Sequence, residues 1–131
     1  LSAKGNTAVF HADEDLSICG DPMKLARVFN NILKNAAAYS FPNSEITISA
    51  KKQDRQMIIS FENQGPTIPE EKLSKIFERF YRMDEARSSN AGGAGLGLAI
   101  AKEIVTLHHG TITAESHENA TVFTVSLPIT N

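Results

Sequence analysis

Apolar residues recur at helical spacing along one long stretch of the chain, from Asp21 to Ser40. The residues that share this spacing are Leu25, Val28, Phe29, Ile32, Leu33 and Ala36. Asp21 is a good N-cap residue, and Pro22 follows it at the position where a first helical residue is expected. The pattern therefore predicts a helix with one apolar face turned toward the core.

Three polar residues flank this apolar face, each one helical turn from the next: Asn31, Asn35 and Tyr39. Asparagine is a mediocre helix former, so two in register within a helix need an explanation. They could be a solvated flank of the helix. They could also form a polar lip, with carboxamide oxygens for a hard cation and an aromatic ring for a base. The helix alone does not decide between these two interpretations.

Shorter stretches alternate between apolar and polar residues, which predicts strands. The predicted strands are Thr7–Ala12, Leu16–Cys19, Glu45–Lys51, Met57–Phe61, Thr111–Glu115 and Thr121–Leu127. A turn at residues 53–55 joins Glu45–Lys51 to Met57–Phe61, and the turn HENA joins Thr111–Glu115 to Thr121–Leu127. Each of these pairs is therefore a predicted hairpin. Residues 63–69 are rich in Gly and Pro and are predicted to form a loop.

Two further helices are predicted in the second half of the chain. A short one opens at Pro69 and runs to Ile76, with acidic residues in its first turn. A longer one runs over residues 96–108, with Leu107 among its inward-facing residues, and Gly110 ends it. The elements together predict an α+β fold in two layers, a mostly antiparallel sheet covered on one face by helices.

Composition limits the possible functions. The chain has 131 residues, which fits a single domain, and 41% of them are hydrophobic, which is not a disordered composition. The net charge of −2 gives no basic footprint, so nucleic acid is not an expected partner. The single Cys19 excludes an internal disulfide framework and a multi-cysteine zinc site. The chain has no apolar run long enough to cross a bilayer, and its start is interpreted as a cut within a longer protein.

The run GGAGLGLAI, residues 92–100, carries the strongest chemical signal. Gly93, Gly95 and Gly97 alternate and lead directly into a helix. Backbone N–H groups in such a run can turn toward an anion, and the helix N-terminus favours negative charge, so the run is typical of a phosphate cradle. It is neither a Rossmann nor a P-loop motif. Taken alone, the run is equally compatible with a plain hinged loop.

Four motifs in order give the chain a family resemblance: the helix with Asn31 and Asn35, the loop NQGPTI, the aromatic run FERFYR and the run GGAGLGL. Their order and spacing resemble the ATP-binding catalytic domain of bacterial sensor histidine kinases. That family shares its nucleotide-binding fold, of the Bergerat type, with the Hsp90, gyrase and MutL ATPases. Residues 81–112 are especially similar to the vancomycin-resistance sensor kinases of enterococci.

The resemblance implies a role for each matching residue. Asn35 matches the asparagine that ligates Mg²⁺, and Asn31 matches one that supports the metal and the phosphates. Tyr39 matches the aromatic residue that lines the adenine pocket. Asn63 stands where the family has the aspartate that accepts a hydrogen bond from the adenine amino group, and Gly65 lets the backbone approach the base.

The rest of the implied site follows the same resemblance. Phe77 and Phe80 match the aromatic residues that pack the lid, and Arg82 and Arg87 are candidates to neutralise the terminal phosphate. Arg87 could equally be a solvated loop residue. The remaining residues assigned to ATP are Ile68, Gly93, Gly95, Leu96 and Gly97.

The sequence departs from the family pattern at three positions. Asn63 replaces the aspartate, and a carboxamide can accept or donate, so we expect looser discrimination between adenine and guanine. Thr67 replaces the second glycine of its motif, which makes that loop bulkier. Ala38 replaces a frequent lysine; Lys34, one turn away, could substitute, or it could be an ordinary surface residue.

One position separates the two chemistries of this fold. The hydrolases carry a glutamate as general base one turn before the metal-ligating asparagine, and here that position is Asn31, which cannot take a proton. A histidine acceptor needs no such base, because neutral imidazole is already nucleophilic. The sequence therefore favours a protein-histidine kinase over an ATPase. A degenerate module that binds partner helices without turning over nucleotide is a third interpretation.

The chain does not supply an obvious phosphoryl acceptor. Its four histidines are His11, His108, His109 and His117, and none lies in a helical His-Glu or His-Asp motif. The acceptor is therefore expected on an upstream dimerisation domain, and this domain alone is expected to be a monomer. The resemblance further implies a response regulator as partner and a full-length protein anchored at the cytoplasmic side of the bacterial membrane.

Overall fold

A computed structural model describes residues 5, 7–12, 22–79 and 97–129 of the chain. The described part contains five strands and three helices. In chain order they are β1 (Thr7–Ala12), α1 (Pro22–Tyr39), β2 (Glu45–Gln53), β3 (Gln56–Gln64), α2 (Glu70–Leu73), α3 (Gly97–Leu107), β4 (Thr111–His117) and β5 (Ala120–Pro128).

The strands form one mixed sheet in the order β1-β2-β3-β5-β4. β1 and β2 pair in parallel, while the other three neighbouring pairs are antiparallel. The parallel pair follows from the connection, because α1 returns the chain to the other end of the sheet before β2 begins. The predicted α+β class, with helices on one face of a mostly antiparallel sheet, is confirmed.

The core lies between the helices and one face of the sheet. Alternate residues of β3 and β5 are buried there, and α1 packs against both β3 and α3. Val28, Ile32 and Ala36 on α1 are at most 1% exposed, which confirms the apolar face predicted from their spacing. Fully burying a valine or isoleucine side chain stabilises a fold by roughly 1.5–3 kcal/mol, so this face anchors α1 to the sheet. The rings of Phe29 and Phe61 add a tilted contact at 5.9 Å.

Several element boundaries differ from the prediction. β2 and β4 each extend two residues further than expected, to Gln53 and His117, because ladder pairing continues past the end of the apolar alternation. α2 ends at Leu73 instead of Ile76, since the chain continues in turns. Leu107 was predicted to face inward, but it is 65% exposed at the end of α3.

Asn63 belongs to a strand, although the sequence predicted a loop from this residue onward. β3 remains paired with β5 through Asn63↔Thr121 and Gln64↔Ala120. The pairing partners come from a strand nearly sixty residues away, which local composition does not reveal. The loop therefore begins at Gly65.

The C-terminal end of α3 is closed by His109, which adopts the left-handed conformation with φ 64°. The sequence predicted Gly110 for this end. The N–H of Gly110 donates to the carbonyl of Val105 at 2.9 Å, as in a helix C-cap. Position 110 has room only for glycine, because a Cβ there would lie 2.8 Å from Cδ2 of Leu127 and collide with the carbonyl oxygen of Ser126.

Three expectations about the fold concern residues outside the described part: the strand Leu16–Cys19, the N-cap at Asp21, and the glycine-rich run before Gly97. Among the described helices, none combines the length and apolar character needed to span a membrane.

Candidate functional site

Asn31, Asn35 and Tyr39 form a row along α1 that we refer to as the polar stripe, and Asn31 contacts the beginning of α3. The side-chain amide of Asn31 donates a hydrogen bond to the carbonyl oxygen of Gly97 at 3.1 Å. A Cβ added to Gly97 would lie 3.9 Å from Cβ and Cγ of Asn31, so the two residues are in close contact. The glycine that ends the glycine-rich run thus lies beside Asn31.

Asn35 and Tyr39 continue the stripe and are both partly buried. The carboxamide of Asn35 makes no hydrogen bond within the described part of the chain. The oxygen of Asn31 is likewise left without a donor there, because its only bond uses the nitrogen. Two carboxamide oxygens one turn apart are therefore available to a ligand, and α1 contains no acidic residue beside them.

Asn63 forms a second polar position, at the end of β3 on the helix-covered face of the sheet. It is only 2% exposed, yet its carboxamide has no hydrogen-bond partner among the described residues. Buried polar side chains nearly always have a partner, so Asn63 is a candidate to bond a ligand. A ligand that brings its own donor or acceptor would complete this position.

Two hydroxyls adjoin Asn63, and sequence reasoning did not identify them. Thr121, the cross-strand partner of Asn63, is 2% exposed, and its Oγ1 lies 2.8 Å from Oγ of Ser116. Ser116 also accepts a hydrogen bond from the N–H of Ile68 at 2.8 Å. The available signal was that both hydroxyls stand at inward positions of strands, among residues that are otherwise apolar.

Position 65 has no room for a side chain, so it requires glycine. The nearest heavy atom to a Cβ at this position would be the carbonyl oxygen of Tyr39, close enough to collide, and the Cα of Ser40 would lie at 3.1 Å. The N–H of Phe41 donates to the carbonyl of Gln64 at 2.7 Å. The start of the loop is therefore held directly against the C-terminal end of α1.

Thr67 is tied to the turn between β4 and β5. Its hydroxyl accepts a hydrogen bond from the N–H of Asn119 at 2.7 Å and lies 3.4 Å from Oδ1 of the same residue. The N–H of Gly65 donates to the carbonyl of Asn119 at 3.0 Å. The bulkier side chain that the sequence places at position 67 thus fastens the loop to a neighbouring turn.

The chain that precedes residues 80–96 packs onto the core through Phe77. Before this segment, the ring of Phe77 meets Phe123 edge to face at 6.2 Å, and Nζ of Lys102 lies 5.9 Å from the Phe77 ring centroid. Arg79 forms an exposed ion pair with Glu103 at 2.8 Å. The predicted site residues that lie outside the described part are Phe80, Arg82, Arg87, Gly93, Gly95 and Leu96.

The histidines are spread over the described surface. His11 and His117 are exposed on the two edge strands, and His109 caps α3. Nδ1 of His108 lies 2.9 Å from the carbonyl oxygen of Ile104, within the same helix.

The described residues fit a Mg²⁺-bound nucleoside triphosphate. The carboxamide oxygens of Asn31 and Asn35, which accept no hydrogen bond from the described residues, suit a hard cation and the groups around it, since Mg²⁺ prefers oxygen ligands. The buried, unpaired Asn63 suits the polar edge of a base. Gly65 brings backbone close to that position without a side chain in between.

Comparison with known proteins gives a consistent result. Residues 20–131 match the family described as histidine kinase-, DNA gyrase B- and HSP90-like ATPase. The sensor protein VanS of Enterococcus faecium is 62% identical over 128 residues, which cover 98% of this chain and 33% of VanS. The chain thus spans about a third of the length of this relative.

Solved structures agree with the sequence relatives. The nucleotide-free catalytic domain of the histidine kinase ThkA superposes with a TM-score of 0.82 at 31% identity, covering 95% of this chain and 80% of that domain. ThkA in complex with the response regulator protein TrrA superposes with a TM-score of 0.78, covering 97% of this chain and 35% of the matched chain. The chain belongs to the histidine kinase-, DNA gyrase B- and HSP90-like ATPase family, as the catalytic domain of a sensor histidine kinase.

Proposed function

We propose that this chain binds Mg-ATP and presents the γ-phosphoryl group to a histidine on the dimerisation domain of a two-component sensor kinase. The observation that carries the proposal is the 3.1 Å hydrogen bond from Asn31 to the carbonyl of Gly97. This bond joins the polar stripe of α1 to the first residue of α3, where a phosphate cradle would end. The triphosphate would lie between the two helices.

Each wall of this site would hold a different part of the nucleotide. Asn35 would give Mg²⁺ an oxygen ligand, and Asn31 would support the metal and phosphates through its free oxygen. When bound, the ion would neutralise phosphate charge. Tyr39 would line the adenine pocket, Asn63 would bond the polar edge of the base, and Gly65 would admit the base close to the backbone.

The residues next to these walls complete the proposed site. Ile68 is 9% exposed and follows the loop at Thr67, so it would border the base. Arg82 and Arg87 would neutralise the terminal phosphate. The nucleotide would also contact Phe80, Gly93, Gly95, Leu96 and Gly97.

Phosphoryl transfer to histidine is favoured over hydrolysis by the composition of α1. This helix carries no Asp or Glu, so none of its side chains can deprotonate an attacking water. An imidazole nitrogen needs no base: it would bond to the γ-phosphorus while the bond to the β-phosphate oxygen breaks and ADP leaves. The domain would contribute positioning and charge neutralisation.

The proposal extends to the longer protein of which this chain would form one domain. The acceptor histidine, the dimer contact and a membrane anchor would lie outside these residues, and the isolated chain would be a monomer. A response regulator would receive the phosphoryl group, in keeping with the complex of ThkA with TrrA. The identity to the sensor protein VanS, together with the resemblance of residues 81–112 to vancomycin-resistance sensor kinases, supports a role in vancomycin-resistance signalling. The full-length protein would act at the cytoplasmic side of the membrane.

The first test titrates ATP into the 131-residue chain with and without Mg²⁺. Asn35→Ala should abolish most of the Mg²⁺-dependent gain in affinity, because an oxygen ligand is lost. Asn30→Ala is the matched control: Asn30 is exposed on the same helix, and affinity should not change. Equal Mg²⁺-dependent affinity in the two variants would contradict the proposed pocket, and absence of ATP binding in the unmodified chain would favour a degenerate module.

The second test separates kinase from ATPase. The chain is incubated with γ-labelled ATP alone and together with the dimerisation domain of the full-length protein. We expect very slow phosphate release from the chain alone and an acid-labile phosphoryl group on the added domain. Rapid release of phosphate without any labelled histidine would support the ATPase instead.

A further inference from the structure

Three polar side chains make a buried corner at the ends of β3, β4 and β5: Asn63, Ser116 and Thr121, which are 2%, 6% and 2% exposed. We refer to them as the polar corner. They share the helix-covered side of the sheet with a core that is otherwise apolar. Because burial of an unpaired polar group is costly, the hydrogen bonds in this corner determine what it can bind.

The carboxamide of Asn63 has both polarities. It offers an oxygen that accepts and an NH₂ group that donates, and a rotation by half a turn exchanges their places. Neither end has a partner in the described part of the chain, so none of the described residues fixes the orientation. An ionised aspartate at this position could accept hydrogen bonds but could not donate any.

The adjoining hydroxyls are equally adaptable. Ser116 accepts the N–H of Ile68, and either Ser116 or Thr121 can donate in the 2.8 Å contact between them. When Ser116 donates, the hydroxyl hydrogen of Thr121 is available for another acceptor. When Thr121 donates, its oxygen still accepts. Thr121 can therefore present either a hydrogen-bond donor or an acceptor on the side of its cross-strand partner Asn63.

This adaptability matters for the edge of a purine. Adenine presents an amino donor at position 6, whereas guanine presents an oxygen acceptor there. Hypoxanthine has the same 6-oxo group without the 2-amino group of guanine. The carboxamide of Asn63 and the hydroxyl of Thr121 can each act as donor or as acceptor. The polar corner can therefore bond either purine edge without leaving a buried donor or acceptor unpaired.

We infer that the polar corner makes the proposed nucleotide site tolerant of the 6-substituent, so that 6-amino and 6-oxo purine triphosphates bind with similar affinity. The inference rests on the proposed function, since it assumes that the base of the nucleotide reaches Asn63. It goes further by defining the substrate class as purine nucleoside triphosphates instead of ATP alone.

The test is calorimetric titration of the 131-residue chain with Mg-ATP and with Mg-ITP, the hypoxanthine nucleotide. We expect the two Kd values to agree within about fivefold, because a reversible hydrogen bond leaves no group unpaired. Asn63→Asp should raise the ratio of Kd for ITP to Kd for ATP by about 10-fold or more, since a carboxylate would face the 6-oxo group. Asn30→Asp adds the same charge on the exposed face of α1 and should leave the ratio unchanged.

The outcomes separate the two proposals. Tight ATP binding with ITP more than about 30-fold weaker would overturn this inference and leave the proposed function standing. An unchanged ratio in a folded Asn63→Asp variant would also overturn it. Failure of both nucleotides to bind the unmodified chain would overturn the proposed function itself. Should Asn63→Asp not fold, Asn63→Leu decides: it should weaken both nucleotides equally, and loss of ATP binding alone would contradict the inference.

Discussion

The two antiparallel hairpins of the sheet are alike in shape but differ in what their turns contact. In the hairpin of β2 and β3 the last pair is Gln53↔Gln56, and in that of β4 and β5 it is His117↔Ala120, so each is closed by two residues. Positive φ angles occur in both turns, 57° at Asp54 and 49° and 63° at Glu118 and Asn119. A positive φ at the first central residue alone is typical of a type II′ turn, and positive φ at both is typical of a type I′ turn. Both types suit the twist of two-residue hairpins, so each turn closes its hairpin by local backbone conformation.

The surroundings of the two turns are different. Asn119 bonds the loop at Gly65 and Thr67 through its main chain and its side chain. In the other turn, the carbonyl of Arg55 accepts the N–H of Ile129 at 2.8 Å. A shallow depression of about 840 Å³ adjoins that turn, lined by Lys51, Gln53, Asp54, Arg55, Gln56, Ile58 and Ser60. The comparison teaches that local sequence sets the shape of a turn, while the element beside it sets its role in the site.

The loop contacted by the second hairpin should show the largest response to substitution. Gly65→Ala places a Cβ against main-chain atoms of Tyr39 and Ser40, which cannot rotate away, so we expect the free energy of unfolding to fall by about 3 kcal/mol. Gly97→Ala is the control, because its nearest neighbours lie at 3.9 Å and alanine suits a helix; its stability should stay level or rise by up to about 1 kcal/mol. Urea denaturation measures both, and equal midpoints would show that the loop is not held as described.

The buried hydroxyl of β4 should come next. Ser116→Ala leaves the N–H of Ile68 without its acceptor, and an unpaired buried donor costs about 1–3 kcal/mol. Ser60→Ala makes the same change on the outer face of β3 in the first hairpin, where we expect a change within about 0.5 kcal/mol. Denaturation curves again give the comparison. A loss at Ser60 as large as that at Ser116 would remove the distinction between the hairpins.

The contact of the turn with Thr67 should have a moderate effect. Thr67→Val removes the acceptor for the N–H of Asn119, and we expect a loss of about 0.5–1.5 kcal/mol in the free energy of unfolding. The affinity for ATP should fall severalfold, because the freed loop adjoins Asn63. Thr113→Val, an exposed site on β4, should change neither quantity. An unchanged affinity with a clear loss of stability would show that the contact serves the fold alone.

The turn residues themselves should give the smallest response. Asp54→Gly relieves a positive φ and adds chain entropy, two small effects of opposite sign, so we expect stability within about 0.5 kcal/mol of the unmodified chain. Asn119→Gly makes the same exchange but also loses the 3.4 Å contact from Thr67, so it should be the less stable of the two. Thermal unfolding resolves the difference. A reversed order would mean that the side chain of Asn119 does not contribute.

The elements predicted from the sequence are those whose pattern is carried by neighbouring residues. The apolar spacing of α1 locates the core face, with Val28 and Ile32 completely buried, and the alternation in β3 locates its inward side. The strand character of Asn63 was missed because it depends on pairing with Thr121, which lies far along the chain. The exposure of Leu107 was missed because a helical pattern does not reveal where the covering sheet ends.

The candidate site likewise contains residues that sequence motifs identify and contacts that they do not. Asn31, Asn35 and Gly97 were identified as candidates from motifs, and the structure places Asn31 in contact with Gly97. The tie from Thr67 to Asn119 spans 52 positions of sequence and has no local signature. The sequence identified Thr67 as a departure from its motif but could not supply the partner that accommodates it.

The hydrogen bond between Asn31 and Gly97 has a consequence for how such a domain can change its chemistry. Its donor is the NH₂ group of a carboxamide, and an ionised glutamate has no donor to replace it. Installing an acid there would set a negative charge against a carbonyl oxygen and remove this hydrogen bond between α1 and α3 in the same step. A path from phosphotransferase to hydrolase through this position would therefore require a second, compensating substitution where the two helices meet.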